Sequence, residues 1–110
     1  MPTTYKILGQ AEPADTNNAD LYTVPASTEA IVSTIVVANT SANEQVFRIF
    51  VRDGGAAAAK GNAIAYDATI NGNTQVAFTL GLTLSATDII SVRAGSGNTI
   101  TFQAFGSELS

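Results

Sequence analysis

The sequence predicts an all-β domain, an antiparallel sandwich or jelly roll of about eight strands. Three observations predict it. Short segments rich in β-branched and aromatic residues recur at a spacing of roughly 10–14 residues, separated by Gly, Pro, Asn and Ser. Several of these segments alternate apolar and polar residues with the period of a half-buried strand. No segment carries an apolar stripe at the 3.6-residue period of a helix.

In chain order, the first segment runs from Thr4 to Leu8 and ends at Gly9. Gln10 to Ala19 is polar, holds Pro13 and Asn17-Asn18, and reads as a loop. The second segment, Asp20 to Val24, stops at Pro25, which cannot donate to a ladder. The third, Ala30 to Asn39, carries Ile31, Val32, Ile35, Val36 and Val37. Apolar residues on both alternating faces predict a central strand covered on both sides. After Thr40 to Asn43 the fourth segment, Glu44 to Arg52, places Phe47, Ile49 and Val51 on one face and Arg48 and Arg52 on the other, and the two segments read as a hairpin. Asp53-Gly54-Gly55 breaks the strand, and Ala56 to Gly61 is a small-residue loop too short for a stable helix. Ala63 to Ala68 is a weaker strand, followed by the turn Asn71-Gly72-Asn73. Thr74 to Leu80 continues through Gly81 to Leu84, and Asp88 to Ala94 follows the turn at Ser85 to Asp88. Gly95 to Asn98 turns the chain into Thr99 to Phe105. The expected core is Ile35, Val37, Phe47, Ile49, Phe78, Val92 and Phe102.

Composition bounds the chemistry. With 110 residues the chain is expected to form one domain, residues 1–110. Only 13% of residues are charged, against about 25% in an average soluble domain, and Ala, Thr, Ser, Asn and Gly take their place. Depletion of charge marks the centre of protein–protein interfaces, and equally a compact domain with a Thr/Asn surface. The net charge of −4 and five basic residues leave no cationic footprint for nucleic acid. With no Cys and no His, disulfides, thiolate metal sites and the commonest general base are excluded. Met1 to Lys6 lacks the pattern of a signal peptide, and Ile35 to Ala38 is the longest apolar run, far below the ~20 residues of a membrane span. No membrane partner and synthesis in the cytoplasm are therefore expected.

No catalytic, cofactor or metal residues emerge. The nine acids fall mostly at strand ends and turns, where they cap and solvate. Asp15-Thr16-Asn17 begins like a calcium loop, but the sixth position is Asp20 rather than Gly and the twelfth is Ala26 rather than Glu. Gly95-Ser96-Gly97 has neither the lysine nor the helix of a phosphate loop. Asn39-Thr40-Ser41 fits a glycosylation acceptor pattern without a secretory signal, and reads as a turn. Candidate interface residues remain. Arg48 and Arg52 share one strand face and suit pairing with a neighbour's carboxylates, or internal pairing with Glu44, Asp67 or Asp88. Residues 1–19, with Tyr5, Ile7 and Leu8 as their apolar patch, read either as an arm reaching to a neighbour or as an edge strand of the chain's own sandwich.

Several phrases carry a resemblance together: Asp20 to Ala26 (DLYTVPA), Val32 to Asn39 (VSTIVVAN), Phe47-Arg48-Ile49, Ile64 to Asp67 (IAYD), Leu80 to Leu84 with Ala86-Thr87-Asp88, and Phe105 to Glu108 (FGSE). In this order the chain resembles small virion structural proteins of tailed bacteriophages, including phages of cyanobacteria, over most of its length from Tyr5 to Ser110. The resemblance implies a non-enzymatic virion module without cofactors. Its expected role is a capsid decoration or cement protein bridging capsid subunits. The alternatives are a tail, collar, baseplate or fibre-attachment component, and, ranked below, a carbohydrate-binding surface module. It further implies the major capsid protein or neighbouring virion subunits as partners, a homo-oligomer with a trimer favoured, and assembly into virions in the host cytoplasm.

Overall fold

The alternating segments fold into eight strands, in a computed structural model that describes residues 3–110. They are β1 (Thr3–Ala11), β2 (Ala19–Thr23), β3 (Glu29–Asn39), β4 (Gln45–Arg52), β5 (Ala63–Ile70), β6 (Gln75–Leu84), β7 (Ile89–Ala94) and β8 (Ile100–Leu109), with two single 3₁₀ turns at Asp53–Gly55 and Lys60–Asn62. All ladders are antiparallel. One four-stranded sheet runs β1-β8-β3-β6 and the other β2-β7-β4-β5. This strand order is that of a jelly roll, two interleaved Greek keys in which the chain repeatedly changes sheet. Among the described residues no helix is long and apolar enough to cross a membrane.

The core lies between the sheets. Ile35, Val37, Phe47, Ile49, Val92 and Phe102 are fully buried in it, as expected from the alternation, while Phe78 packs against it half-buried on β6. Phe47 is its centre, meeting Phe78 and Phe102 edge-on at centroid distances of 6.1 and 6.2 Å. Such geometry sets the positive ring edge against a negative face.

Two expectations are corrected. The third and fourth segments do not form a hairpin: β3 pairs with β6 and β8, and β4 with β5 and β7. The turns at 71–73 and 95–98 likewise carry the chain between sheets. Turn chemistry fixes where a chain reverses, not which strand receives it. Second, β3 is central in its sheet but covered on one side only, with Ile31 and Ser33 exposed on the other. As the pattern predicts, residues 75–84 form one strand through Gly81, which has φ = 65° where Leu80 and Gly81 oppose the single Ser33. A bulge of this kind needs a residue that tolerates positive φ.

Residues 3–11 are an edge strand of the chain's own sheet rather than a free arm, with Thr3 opposite Leu109 and Ala11 opposite Phe102. Met1 and Pro2, the first residues of the segment read as an arm, lie outside the described residues. The following loop is also tied down: the Asn98 amide donates to the Pro13 carbonyl at 2.8 Å. At Gly9 a Cβ would run into the Leu21 carbonyl, so glycine lets β1 pass close to β2.

Asn39 is a polar residue at the end of β3 with 2% exposure. Its Nδ2 donates to the carbonyls of Asn43 at 2.8 Å and Ile70 at 3.1 Å, and its Oδ1 accepts from the Ser41 amide at 3.0 Å and the Ser41 hydroxyl at 2.7 Å. It thereby joins the end of β3 in one sheet to the end of β5 in the other. The amide that the sequence pattern marks as a glycosylation acceptor is thus engaged inside the fold. Asn39→Ala would strand buried partners and is expected to cost about 2–3 kcal/mol in denaturant unfolding.

Candidate interaction surfaces

The strand registers place distinct sets of residues on the two outer faces. On the β1-β8-β3-β6 sheet, the core-facing positions Ala30, Val32, Ile35 and Val37 leave their neighbours on the outside. The outer face then reads in rows. Tyr5, Ser107, Ile31 and Thr83 form one; Ile7, Phe105, Thr34 and Thr79 the next; Gln10, Gln103, Val36 and Ala77 a third; Thr101, Ala38 and Gln75 a fourth. None of these residues is charged. Glu29 lies in the row beyond, beside Leu109 and Thr3, and marks the end of the face. Tyr5 is 84% exposed, Ile7 53% and Ile31 40%. A shallow groove of about 470 Å³ runs past Tyr5, Ile31, Ser33, Phe105 and Ser107, and past Lys6, whose ammonium is paired with Glu108. An uncharged, flat, partly aromatic surface has a low desolvation cost on binding, and Thr and Ala lose little side-chain entropy there.

Of the apolar patch read in the first segment, Tyr5 and Ile7 share this face. Leu8 does not: it is 9% exposed and belongs to the core. Alternation along the strand puts Leu8 on the opposite side from Tyr5 and Ile7, and a register shift between Ile7 and Gly9 leaves it without a partner on β8.

The other outer face collects four of the five basic residues, Arg48, Arg52, Lys60 and Arg93. Arg48 is held by Asp67, with Nε at 2.7 Å from one oxygen and the second nitrogen at 3.1 Å from the other. A bulge makes this possible. Phe47 faces Ala68 and Ile49 faces Ala65, so Tyr66 and Asp67 together oppose Arg48. Asp67 sits at φ = 52° to do so, a conformation that Asp tolerates better than most residues. The Arg48 guanidinium also lies 4.0 Å from the Tyr66 ring centroid. The Arg48 bond holds the Asp67 carboxyl below the usual carboxylate range, with smaller help from the charges of Arg48, Arg93 and Lys60. Arg52 donates to Asp20 at 3.1 Å, to the Ser91 hydroxyl, and to the carbonyls of Gly55 and Ala56. Asp67 was among the internal partners foreseen for these arginines; Asp20, thirty-two positions from Arg52, was not. Both arginines therefore bond within the chain, Arg48 to β5 and Arg52 to the β4–β5 connection and β2.

Two further carboxylates staple the ends of the sandwich. Asp88 accepts the amides of Gly54 at 2.7 Å and Ser85 at 2.9 Å, and these bonds lower its pKa. Glu108 accepts the Tyr22 hydroxyl from the opposite sheet and the Lys6 ammonium at 3.2 Å, which lower its pKa in that order. Burial, then the Glu108 bond, pushes the Tyr22 phenol up. All three carboxylates have folded pKa values below their ordinary ones of 3.8 and 4.5. Their contribution is complete above the ordinary values and is lost as pH falls through the lower folded ones. The urea midpoint is expected to hold between about pH 7 and 5.5 and to fall below about pH 4, with a shallower fall in Asp88→Ala, which itself costs about 2 kcal/mol near neutrality.

Among the described residues no group of three His, Cys, Asp or Glu side chains stands ready for a metal ion. No family model matches the sequence, and no curated protein matches it. Two solved structures of infectious bursal disease virus contain chains to which this one is similar in shape. For the Gx strain the TM-score is 0.45 at 13% identity, over 97% of this chain and 31% of that one. For the Gt strain the values are 0.46 and 9%, over 96% and 32%. The chain spans less than a third of each of those chains. At these scores the likeness carries no argument, and the jelly-roll assignment rests on the strand order itself.

Proposed function

We propose that this chain is a non-enzymatic virion structural module that docks onto neighbouring protein subunits through the outer face of the β1-β8-β3-β6 sheet. The observation that carries the docking reading is the uncharged face bearing exposed Tyr5, Ile7 and Ile31. Isolated exposed apolar residues are ordinary, but several on one face without charge mark a contact surface. The virion setting comes from the resemblance to tailed-bacteriophage structural proteins. Within it a capsid decoration or cement role comes first, because many weak contacts multiplied by copy number suit a small uncharged face. A sugar-binding role finds little support. Tyr5 and Tyr66 stand on opposite sheets and Tyr22 is buried, so no two tyrosines form a stacking platform.

The double variant Tyr5→Glu with Ile31→Glu tests the docking face. Both positions face solvent, so its unfolding midpoint is expected to stay near that of the parent, while its incorporation into virions, measured by quantitative mass spectrometry of purified particles, drops at least tenfold. Loading equal to the parent's would overturn the docking face. Hundreds of copies per particle identify a capsid component; a few tens or fewer identify a tail, collar or fibre component.

A further inference from the structure

The opposite sheet holds a second, chemically different feature. Arg48 on β4 and Arg93 on β7 are direct partners in the ladder. Like charges placed across from each other, with Cβ atoms about 5 Å apart, work against the pairing. One carboxylate, Asp67, answers the two, and its hydrogen bonds go to Arg48. The ion pairs among the described residues join Lys6 to Glu108, Arg48 to Asp67 and Arg52 to Asp20; none includes Arg93. Arg93 lines a cavity of about 170 Å³ together with Arg48, Asp67, Val46, Thr16 and Gly95. The cavity is therefore small, open, and one positive charge in excess. The Arg48 guanidinium beside it is held by two bonds to Asp67 and by the Tyr66 ring. A departure from local pairing rules that a single shared carboxylate compensates only in part is the expected mark of a functional position.

We propose that this cleft is a carboxylate-binding pocket, in which Arg93, backed by Arg48, receives a Glu or Asp side chain of a partner protein. The guanidinium fork matches a carboxylate with two parallel N–H donors, and Thr16, which also lines the cleft, carries a hydroxyl able to donate. The volume admits the end of one acidic side chain and excludes a folded acidic surface. The pocket lies on the sheet opposite the uncharged docking face, so either can fail without the other.

The test is a titration of the isotopically labelled chain followed by amide chemical shifts, at constant ionic strength. The probes are an end-capped tetraglutamate peptide, the matching tetraglutamine peptide, and inorganic phosphate. The expected result is saturable shifts at Thr16, Val46 and Gly95 with tetraglutamate and none with tetraglutamine. Arg93→Gln is expected to weaken tetraglutamate binding at least tenfold while the remaining spectrum is unchanged, and Arg93→Lys to fall between. Absence of saturable shifts in the parent, undiminished binding by Arg93→Gln, or phosphate bound more tightly than tetraglutamate would each overturn the assignment, the last by making the ligand a free anion. Should Arg93→Gln perturb the whole spectrum, the Arg93→Lys comparison decides: undiminished binding there overturns a forked contact, and weakened binding supports it.

Discussion

Phe47→Ala is expected to destabilise the fold by about 3–5 kcal/mol, the usual cost of deleting a buried aromatic ring and leaving part of its volume empty. The ring is 2% exposed on β4 and touches aromatic partners on two strands of the opposite sheet, Phe78 on β6 and Phe102 on β8. Its loss therefore opens a cavity between the layers rather than at an edge, where neighbours could collapse inward. A small domain has about 5–15 kcal/mol in all, so the variant should unfold at far lower urea with an unchanged slope. A loss below about 1 kcal/mol would mean that the core does not depend on this ring.

Removal of residues 1–9 is expected to abolish cooperative unfolding altogether. The deletion takes away most of β1, and with it the buried Leu8 and the Lys6 contact to Glu108. It also strips one hydrogen-bonding edge from β8, which pairs with β1 on that side and β3 on the other. Buried Leu side chains alone are worth about 2–5 kcal/mol, and the unpaired ladder adds to that. Far-ultraviolet circular dichroism and a denaturant titration of the truncated chain check this. A normally folded truncation would show that β1 is dispensable, and would return the segment to the role of a reaching arm.

The sequence revealed strands well and pairings poorly, for a physical reason. Alternation along Phe47, Ile49 and Val51, or Ile100 and Phe102, reports which side of a strand is dry, and that is a local property. Whether β4 lies beside β3 depends on the whole set of layers, so the pattern at Asn39 to Gln45 looked like a hairpin although the chain there changes sheet. β3 looked covered on both faces because Ile31 and Val36 are apolar, yet both stand on the open side. Those residues break the binary pattern where the candidate docking face lies, so the signal was present and was read as burial. Leu8 was misplaced because it was grouped with Tyr5 and Ile7 as an apolar neighbour, although period-two alternation puts it on the other side of the strand. The Arg48–Arg93 opposition was invisible, since forty-five positions separate residues that only the β4–β7 ladder brings together.

The strand order also bears on how the chain reaches its native state. Of the seven consecutive strand pairs only β4 and β5 are neighbours in a sheet, so almost no sheet can form by local zippering. β1 finds its partner at the far end of the described chain, and β3 waits for β6 and β8. Closing such long loops costs entropy before any contact repays it, and topologies of this kind fold in milliseconds to seconds rather than microseconds. During synthesis β8, which lies between β1 and β3 in the sheet with the uncharged outer face, is the last of the eight strands to be made. Until residues 100–109 emerge, β1 and β3 expose unpaired backbone edges beside Tyr5, Ile7 and Ile31, and a crowd of nascent copies would be at its most vulnerable to wrong pairing in that interval.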